Sequence, residues 1–257
     1  MRQILKPLTQ VILPNNYYLN KNILITGGGS GLGKQMAIHF AKLGASVSII
    51  GRNHEKLENA RSLIATEAPE APDVQTYSID VRENAQIANL ANDMLVNNTL
   101  PDVVVNNAAG NFICPTEKLS YNGWNSVIDI VLKGTMNLSL EFGKKHIESQ
   151  KPDTFINVST TYAETGSAFV VPSAVAKAAC NNLTKSLSAE WGKYGLRFLS
   201  VAPGPIYTDG AFSRLDPTGK FTKVAENNLP LGRLGDKSEI ANLITYLASD
   251  HNNWMTG

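Results

Sequence analysis

The sequence predicts an α/β fold of three layers: a doubly wound parallel sheet with helices on both faces. Three observations predict it. Short apolar runs alternate with stretches of helical period along the 257 residues, the pattern of successive βαβ units. The first run, Asn22-Ile-Leu-Ile-Thr26, passes into a glycine cluster and then a helical pattern. The chemistry-bearing residues gather where predicted strands end: Gly27–Gly33, Arg52, Asp80, Asn106–Gly110, Ser159–Tyr162 and Pro203–Ile206. Open parallel sheets bind their ligands there.

Residues 1–20, with Pro7, Pro14 and a run of Asn and Tyr, read as an arm on a single domain spanning 21–257. After the first strand, Ala37, Phe40, Ala41 and Leu43 recur at helical spacing. Ser46–Ile50 is the second strand, and a polar helix follows from about Asn53 to Thr66, closed by Pro69 and Pro72. Val74–Asp80 is the third strand, with a helix over Glu83–Asn97. Pro101–Asn106 is a nearly all-apolar fourth strand, and Trp124–Ile147 carries one long helical period. Thr154–Ser159 is the fifth strand. Pro172 suits a first helical position and opens a helix to about Trp191. Arg197–Val201 is the sixth strand, stopped by Pro203-Gly204-Pro205. Residues 207–228 read as a loop-rich lid, and Lys237–Ala248 as a helix.

Net charge is +1, from 23 basic and 22 acidic residues, which makes no electrostatic case for a nucleic-acid or membrane-surface partner. No apolar run reaches the roughly 20 residues of a membrane span. Cys114 and Cys180 stand far apart, as in a reducing compartment. The four histidines are scattered singly, so no metal site is expected.

Five glycines fall within seven residues of Gly27-Gly28-Gly29-Ser30-Gly31-Leu32-Gly33. Glycines 27, 31 and 33 are expected to take positive φ or to admit a ligand against the backbone. Free amides and the positive end of the helix dipole favour a pyrophosphate there. Arg52 stands 19 positions beyond Gly33, with no carboxylate before Glu55. An arginine at that strand end can pair with a 2′-phosphate, which favours NADPH over NADH.

The arrangement Thr26-Gly-x-x-x-Gly-x-Gly33 resembles the nucleotide loop of the short-chain dehydrogenase/reductase family, whose fold is Rossmann-like. Asn106-Asn-Ala-Ala-Gly110 resembles that family's N-N-A-G signature, and Asp80-Val81 its adenine contact. By the same resemblance Asn107 and Pro203, Gly204, Pro205 and Ile206 touch the cofactor. Two positions depart from the pattern. The usual Tyr-x-x-x-Lys reads Ser173-Ala-Val-Ala-Lys177, and Val131 replaces an asparagine three residues before Gly134. Ser173 and Lys177 lie one helical turn apart on one face. A serine is a poor acid for a carbonyl oxygen. Tyr162, just past the fifth strand, is the displaced candidate acid, and it points to protonation at carbon.

With Asn106–Phe112, Tyr162–Gly166, Pro172–Lys177, Gly204–Ile206 and Gly210–Gly219, the chain resembles the mitochondrial-type 2,4-dienoyl-CoA reductases from about Pro14 to Gly257. The resemblance implies that NADPH reduces a 2,4-dienoyl-CoA to a trans-3-enoyl-CoA, as in β-oxidation of unsaturated acyl chains. It implies Tyr162 as proton donor, Asn111 as donor to the thioester oxygen and Lys177 on the nicotinamide ribose. Ser173 would join the cofactor or tyrosine network, with Thr160 nearby. Arg82, Phe112, Ser120 and Arg214 would touch the acyl-CoA. Relatives are homotetramers of the mitochondrial matrix. No clear transit peptide is present, so a cytoplasmic location stays open, and an oligomer is expected. The family's usual seventh strand lies beyond Gly257, so the sixth is expected to present an unpaired edge. Two other readings stay open here: a ketoacyl or other carbonyl reductase, and a non-catalytic subunit.

Overall fold

A computed structural model describes residues 5–208 and 227–257. The strands are β1 (Asn22–Thr26), β2 (Ser46–Gly51), β3 (Gln75–Ser78), β4 (Val103–Asn106), β5 (Asp153–Val158) and β6 (Leu196–Val201). The helices are α1 (Gly31–Lys42), α2 (His54–Glu67), α3 (Asn84–Val96), α4 (Tyr121–Ile128), α5 (Gly134–Ser149), α6 (Tyr162–Thr165), α7 (Val171–Trp191) and α8 (Lys237–Ala248). The sheet order is β3-β2-β1-β4-β5-β6, all parallel. Strand order therefore reverses between β1 and β4, and a crevice opens beyond their C-terminal ends.

The central strands are sheathed on both faces. Ile23, Ile25, Val103 and Val105 point into one apolar layer with Met36, Phe40 and Ile244. Leu24, Val104 and Phe155 point into the other with Leu90, Leu138 and Phe142. Strands buried on both sides read as continuous apolar runs, which is why β4 is Val-Val-Val-Asn. The long helical period before β5 is interrupted in the structure. A π turn over Asp129–Lys133 joins α4 to α5, an insertion that a periodic pattern does not reveal.

The N-terminal residues run across α1 and α8. Tyr18 is buried, and its hydroxyl donates to the Thr245 carbonyl at 2.6 Å. The Asn242 side chain donates to the Gln10 carbonyl at 2.8 Å. At the other side of the fold β6 is the last strand of the sheet, and its edge is not bare. Gly257 N–H donates to the Phe198 carbonyl at 2.8 Å, and Phe198 N–H donates to Thr256 Oγ1 at 3.0 Å. The expected unpaired edge is thus engaged by the final two residues at Phe198.

Candidate active site

The glycine loop sits at the β1 end of the crevice. Gly27 and Gly31 have φ of +67° and +53°, a region open to glycine and costly for other residues. Gly33 is different from the expectation. It lies inside α1 with ordinary helical backbone, and its requirement is steric. A Cβ there would stand 2.3 Å from the Gly27 oxygen and 2.7 Å from Asn107 Nδ2. Ser30 begins α1 without capping it through its side chain, and no acidic residue occupies the first turn. The first-turn amides therefore lack a capping side chain, and Gly29 and Ser30 beside them line a cleft.

Thr26 organises the neighbouring loop. Its hydroxyl accepts from the N–H groups of Asn107 and Ala108 at 3.0 and 2.9 Å, and Asn107 Nδ2 donates to the Thr26 carbonyl at 3.0 Å. The motif at the end of β4 is thus clamped onto the end of β1. A cleft of about 490 Å³ opens beside it, lined among others by Gly29, Ser30, Arg52, Lys56, Asp80 and Ala108. Its glycine walls, uncapped helix end and two cations fit a dinucleotide. Lys56 is a lining residue that sequence reading passed over. Its position on the third residue of a capped helix was the available signal.

Asp80 is held by Arg82. The guanidinium forks onto the carboxylate, with Nε–H donating at 3.0 Å and Nη2–H at 2.6 Å. Those hydrogen bonds hold the Asp80 carboxyl below its usual range, against the opposing effect of burial. Arg82 itself stays exposed, so the fork anchors an accessible guanidinium at the edge of the cleft. Ser120 caps α4, accepting from Gly123 N–H at 3.1 Å. Phe112 turns inward against the cluster of Val127, Val131, Ala176 and Cys180. Gly204 and Pro203 follow β6, and Ile206 pairs with Gly235 in an isolated parallel bridge. Arg214 and most of the expected lid lie outside the described residues.

The second half of the crevice brings four expected residues together. Tyr162 opens α6, directly after β5. Its hydroxyl lies 3.0 Å from Ser173 Oγ and accepts from Asn111 Nδ2 at 3.4 Å. Asn111 is oriented by its own backbone, since Phe112 N–H donates to Asn111 Oδ1 at 2.9 Å. Ser173 is buried, one turn before Lys177 on α7. The Lys177 ammonium donates to the Val158 carbonyl. Its side chain is 8 % exposed, and no carboxylate pairs with it among the described residues. Burial pushes its pKa below the usual lysine range. A buried cation held by a neutral carbonyl retains donor capacity for ribose hydroxyls. Thr160 lies half-buried between β5 and α6.

Val131, where the family resemblance implied an asparagine, is buried in the π turn. Its carbonyl accepts from the Thr135 hydroxyl at 2.7 Å and the Cys180 thiol at 3.5 Å. This side of the site is closed by apolar packing. A larger cleft, about 830 Å³, lies at the opposite, N-terminal ends of the strands near Lys21, Asp102 and Arg197. It lacks the glycine loop, which lines the smaller cleft, so the site is placed at the smaller one. Among the described residues no His, Cys, Asp and Glu group could hold a metal, and no helix is long and apolar enough to cross a membrane.

Fold and site define a nucleotide-binding reductase of the open α/β type. The family described as enoyl-(acyl carrier protein) reductase matches residues 27–257. The chain belongs to the short-chain dehydrogenase/reductase family. It is 43 % identical to a probable 2,4-dienoyl-CoA reductase, (3E)-enoyl-CoA-producing, of Caenorhabditis elegans, over 96 % of this chain and 80 % of that one. It is 42 % identical to a probable 2,4-dienoyl-CoA reductase, (2E)-enoyl-CoA-producing, of Bacillus subtilis, over 92 % of each. A crystal structure of a short chain dehydrogenase from Bacillus anthracis superposes with a TM-score of 0.82 at 43 % identity, covering 92 % of each chain.

Proposed function

We propose that this chain reduces 2,4-dienoyl-CoA thioesters with NADPH, giving a trans-3-enoyl-CoA. One observation carries the reading: the only phenol hydrogen-bonded to Ser173 and Asn111 among the described residues is Tyr162, while the family's usual tyrosine position is Ser173 itself. Similarity to the worm and Bacillus proteins named as dienoyl-CoA reductases supports the substrate class.

When bound, NADPH would supply the hydride for the δ-carbon, and the negative charge so formed would fall on the thioester oxygen. Asn111 Nδ2 and the Tyr162 hydroxyl are the donors that stabilise it, which is the largest expected catalytic contribution. Tyr162 then passes its proton to the α-carbon. Ser173 holds the phenol in register. Lys177 orients the ribose with a charge shielded from water, and Thr160 borders the same space. Arg52 and Lys56 make the adenosine end cationic, while Arg82 neutralises Asp80, so a 2′-phosphate is favoured there. Gly27 to Gly33, Asn107 and the Pro203–Ile206 segment hold the rest of the cofactor. Arg214, Ser120, Phe112 and Arg82 stand as the acyl-CoA contacts, Arg82 through the Nη1 donors that its fork on Asp80 leaves over.

NADPH oxidation with a 2,4-dienoyl-CoA tests the proposal. Tyr162→Phe is expected to lower turnover at least about a hundredfold while NADPH still binds. A mild loss removes Tyr162 from the acid role. Product analysis checks the protonated carbon, because the similar worm and Bacillus proteins carry names with different products.

A further inference from the structure

Beside the Tyr162 network the chain exposes two large apolar side chains. Ile113 is 52 % and Phe169 is 54 % exposed. They belong to different loops, and those loops are joined. Cys114 N–H donates to the Phe169 carbonyl at 2.9 Å. Ile113 follows Asn111 by two residues, and Phe169 precedes Ser173 by four. Both loops therefore run directly into the residues that hold the Tyr162 hydroxyl.

The backbone of Phe169 is unusual. Its φ is +65°, a left-handed conformation that a bulky side chain rarely adopts. Strain of this kind persists where surrounding structure over-determines it, and it concentrates at ligand clamps. Here the bridge to Cys114 is one restraint. The other is the turn into α7, where the Ser173 and Ala174 N–H groups both donate to the Val170 carbonyl. The result is an apolar side chain held at the surface although an ordinary loop could fold it away. Phe112, between Asn111 and Ile113, packs inward instead. The loop thus alternates polar contact, core and exposed apolar surface within three residues.

We infer that Ile113 and Phe169 form the rim over which the aliphatic tail of the acyl thioester leaves the reaction centre. Resting on the reaction proposed above, the inference adds a chain-length subsite to it. The conjugated carbons lie at Asn111 and Tyr162. Carbons beyond them meet the Ile113 and Phe169 side chains, and apolar surface on both partners leaves water together. The occupant is an unbranched hydrocarbon, because continuity with the thioester site supplies the anchor and the rim itself offers no charge.

The test compares hexadienoyl-CoA with dodecadienoyl-CoA on the complete chain. In the Ile113→Ser, Phe169→Ser double variant, the ratio of kcat/KM for long over short substrate is expected to fall at least about tenfold, the factor carried by burial of about two methylenes. The loss should reside in KM. Phe169→Leu, which keeps the apolar bulk, should restore most of the ratio. NADPH binding monitored alongside reports whether each variant is folded. An unchanged ratio, or equal losses on both substrates, overturns the inference. So does disruption of an oligomer without a chain-length effect, which would make the rim a contact between copies. Calorimetric binding of hexanoyl-CoA and dodecanoyl-CoA separates the two proposals. A Phe169-dependent preference for the longer chain without dienoyl turnover leaves the rim standing and the reaction refuted. Absence of that preference overturns the rim.

Discussion

Replacing Asp153 by Asn tests the electrostatics beneath the sheet. His146 Nε2 lies 3.0 Å from Asp153 Oδ2, and both side chains are completely buried. His146 Nδ1 lies 3.1 Å from the Lys151 carbonyl. Both ring nitrogens therefore face acceptors, and only the imidazolium donates from both. Burial alone would lower the His146 pKa. The charge and hydrogen bond of Asp153, with the Lys151 carbonyl, outweigh it and raise the pKa above the usual value. The sign follows from linkage. With the folded pKa above the unfolded one, the stabilisation is fully present below about pH 6.5 and is lost as pH rises through the folded value. Removing one partner of a buried pair costs about 3–5 kcal/mol when the other stays charged. His146 can instead release its proton, so the expected cost of Asp153→Asn is nearer 2 kcal/mol, between that limit and the roughly 1 kcal/mol of one hydrogen bond. For a chain of this size that is about 4–8 °C in Tm. Thermal unfolding followed at about pH 6 and about pH 9 reads it. The wild-type advantage should shrink at the higher pH. An advantage constant across that range, or larger at alkaline pH, refutes the ionised pair.

Three further outcomes follow from contacts described above. Gly33→Ala should raise the dissociation constant for either nicotinamide cofactor by at least about tenfold in a fluorescence titration, since its Cβ would meet the Gly27 oxygen at 2.3 Å. NADPH should bind at least about tenfold tighter than NADH, and Arg52→Ala should erase most of that margin. Comparable affinities in the unaltered chain would refute the role given to Arg52. Thr26→Val should cost about 1–3 kcal/mol in denaturant unfolding by leaving the Asn107 and Ala108 amides without their acceptor. A loss confined to cofactor binding would show that the clamp matters only when the crevice is filled.

Much of this protein is legible along the chain because much of it is local. Alternating runs and helical periods mark the six strands and their order of appearance, since side-chain direction repeats every 2 or 3.6 residues. Ser173 and Lys177 share a helix face by spacing alone. Five glycines in seven residues mark the phosphate loop. Other features join residues far apart in the chain and leave no periodic trace. The Thr26 clamp spans 81 positions to Asn107, and the Asn111–Tyr162 contact spans 51. A π turn over Asp129–Lys133 is hidden within one continuous helical period.

The sequence by itself determined the layer architecture, the glycine loop and the types of residue at the crevice, because backbone preference and apolar spacing act over a few residues. Only the tertiary structure decided which of those residues meet. It seats a phenol on Ser173 and Asn111, and it clamps Asn107 and Ala108 onto Thr26. Those outcomes depend on distances between elements, which packing sets and which no local pattern encodes.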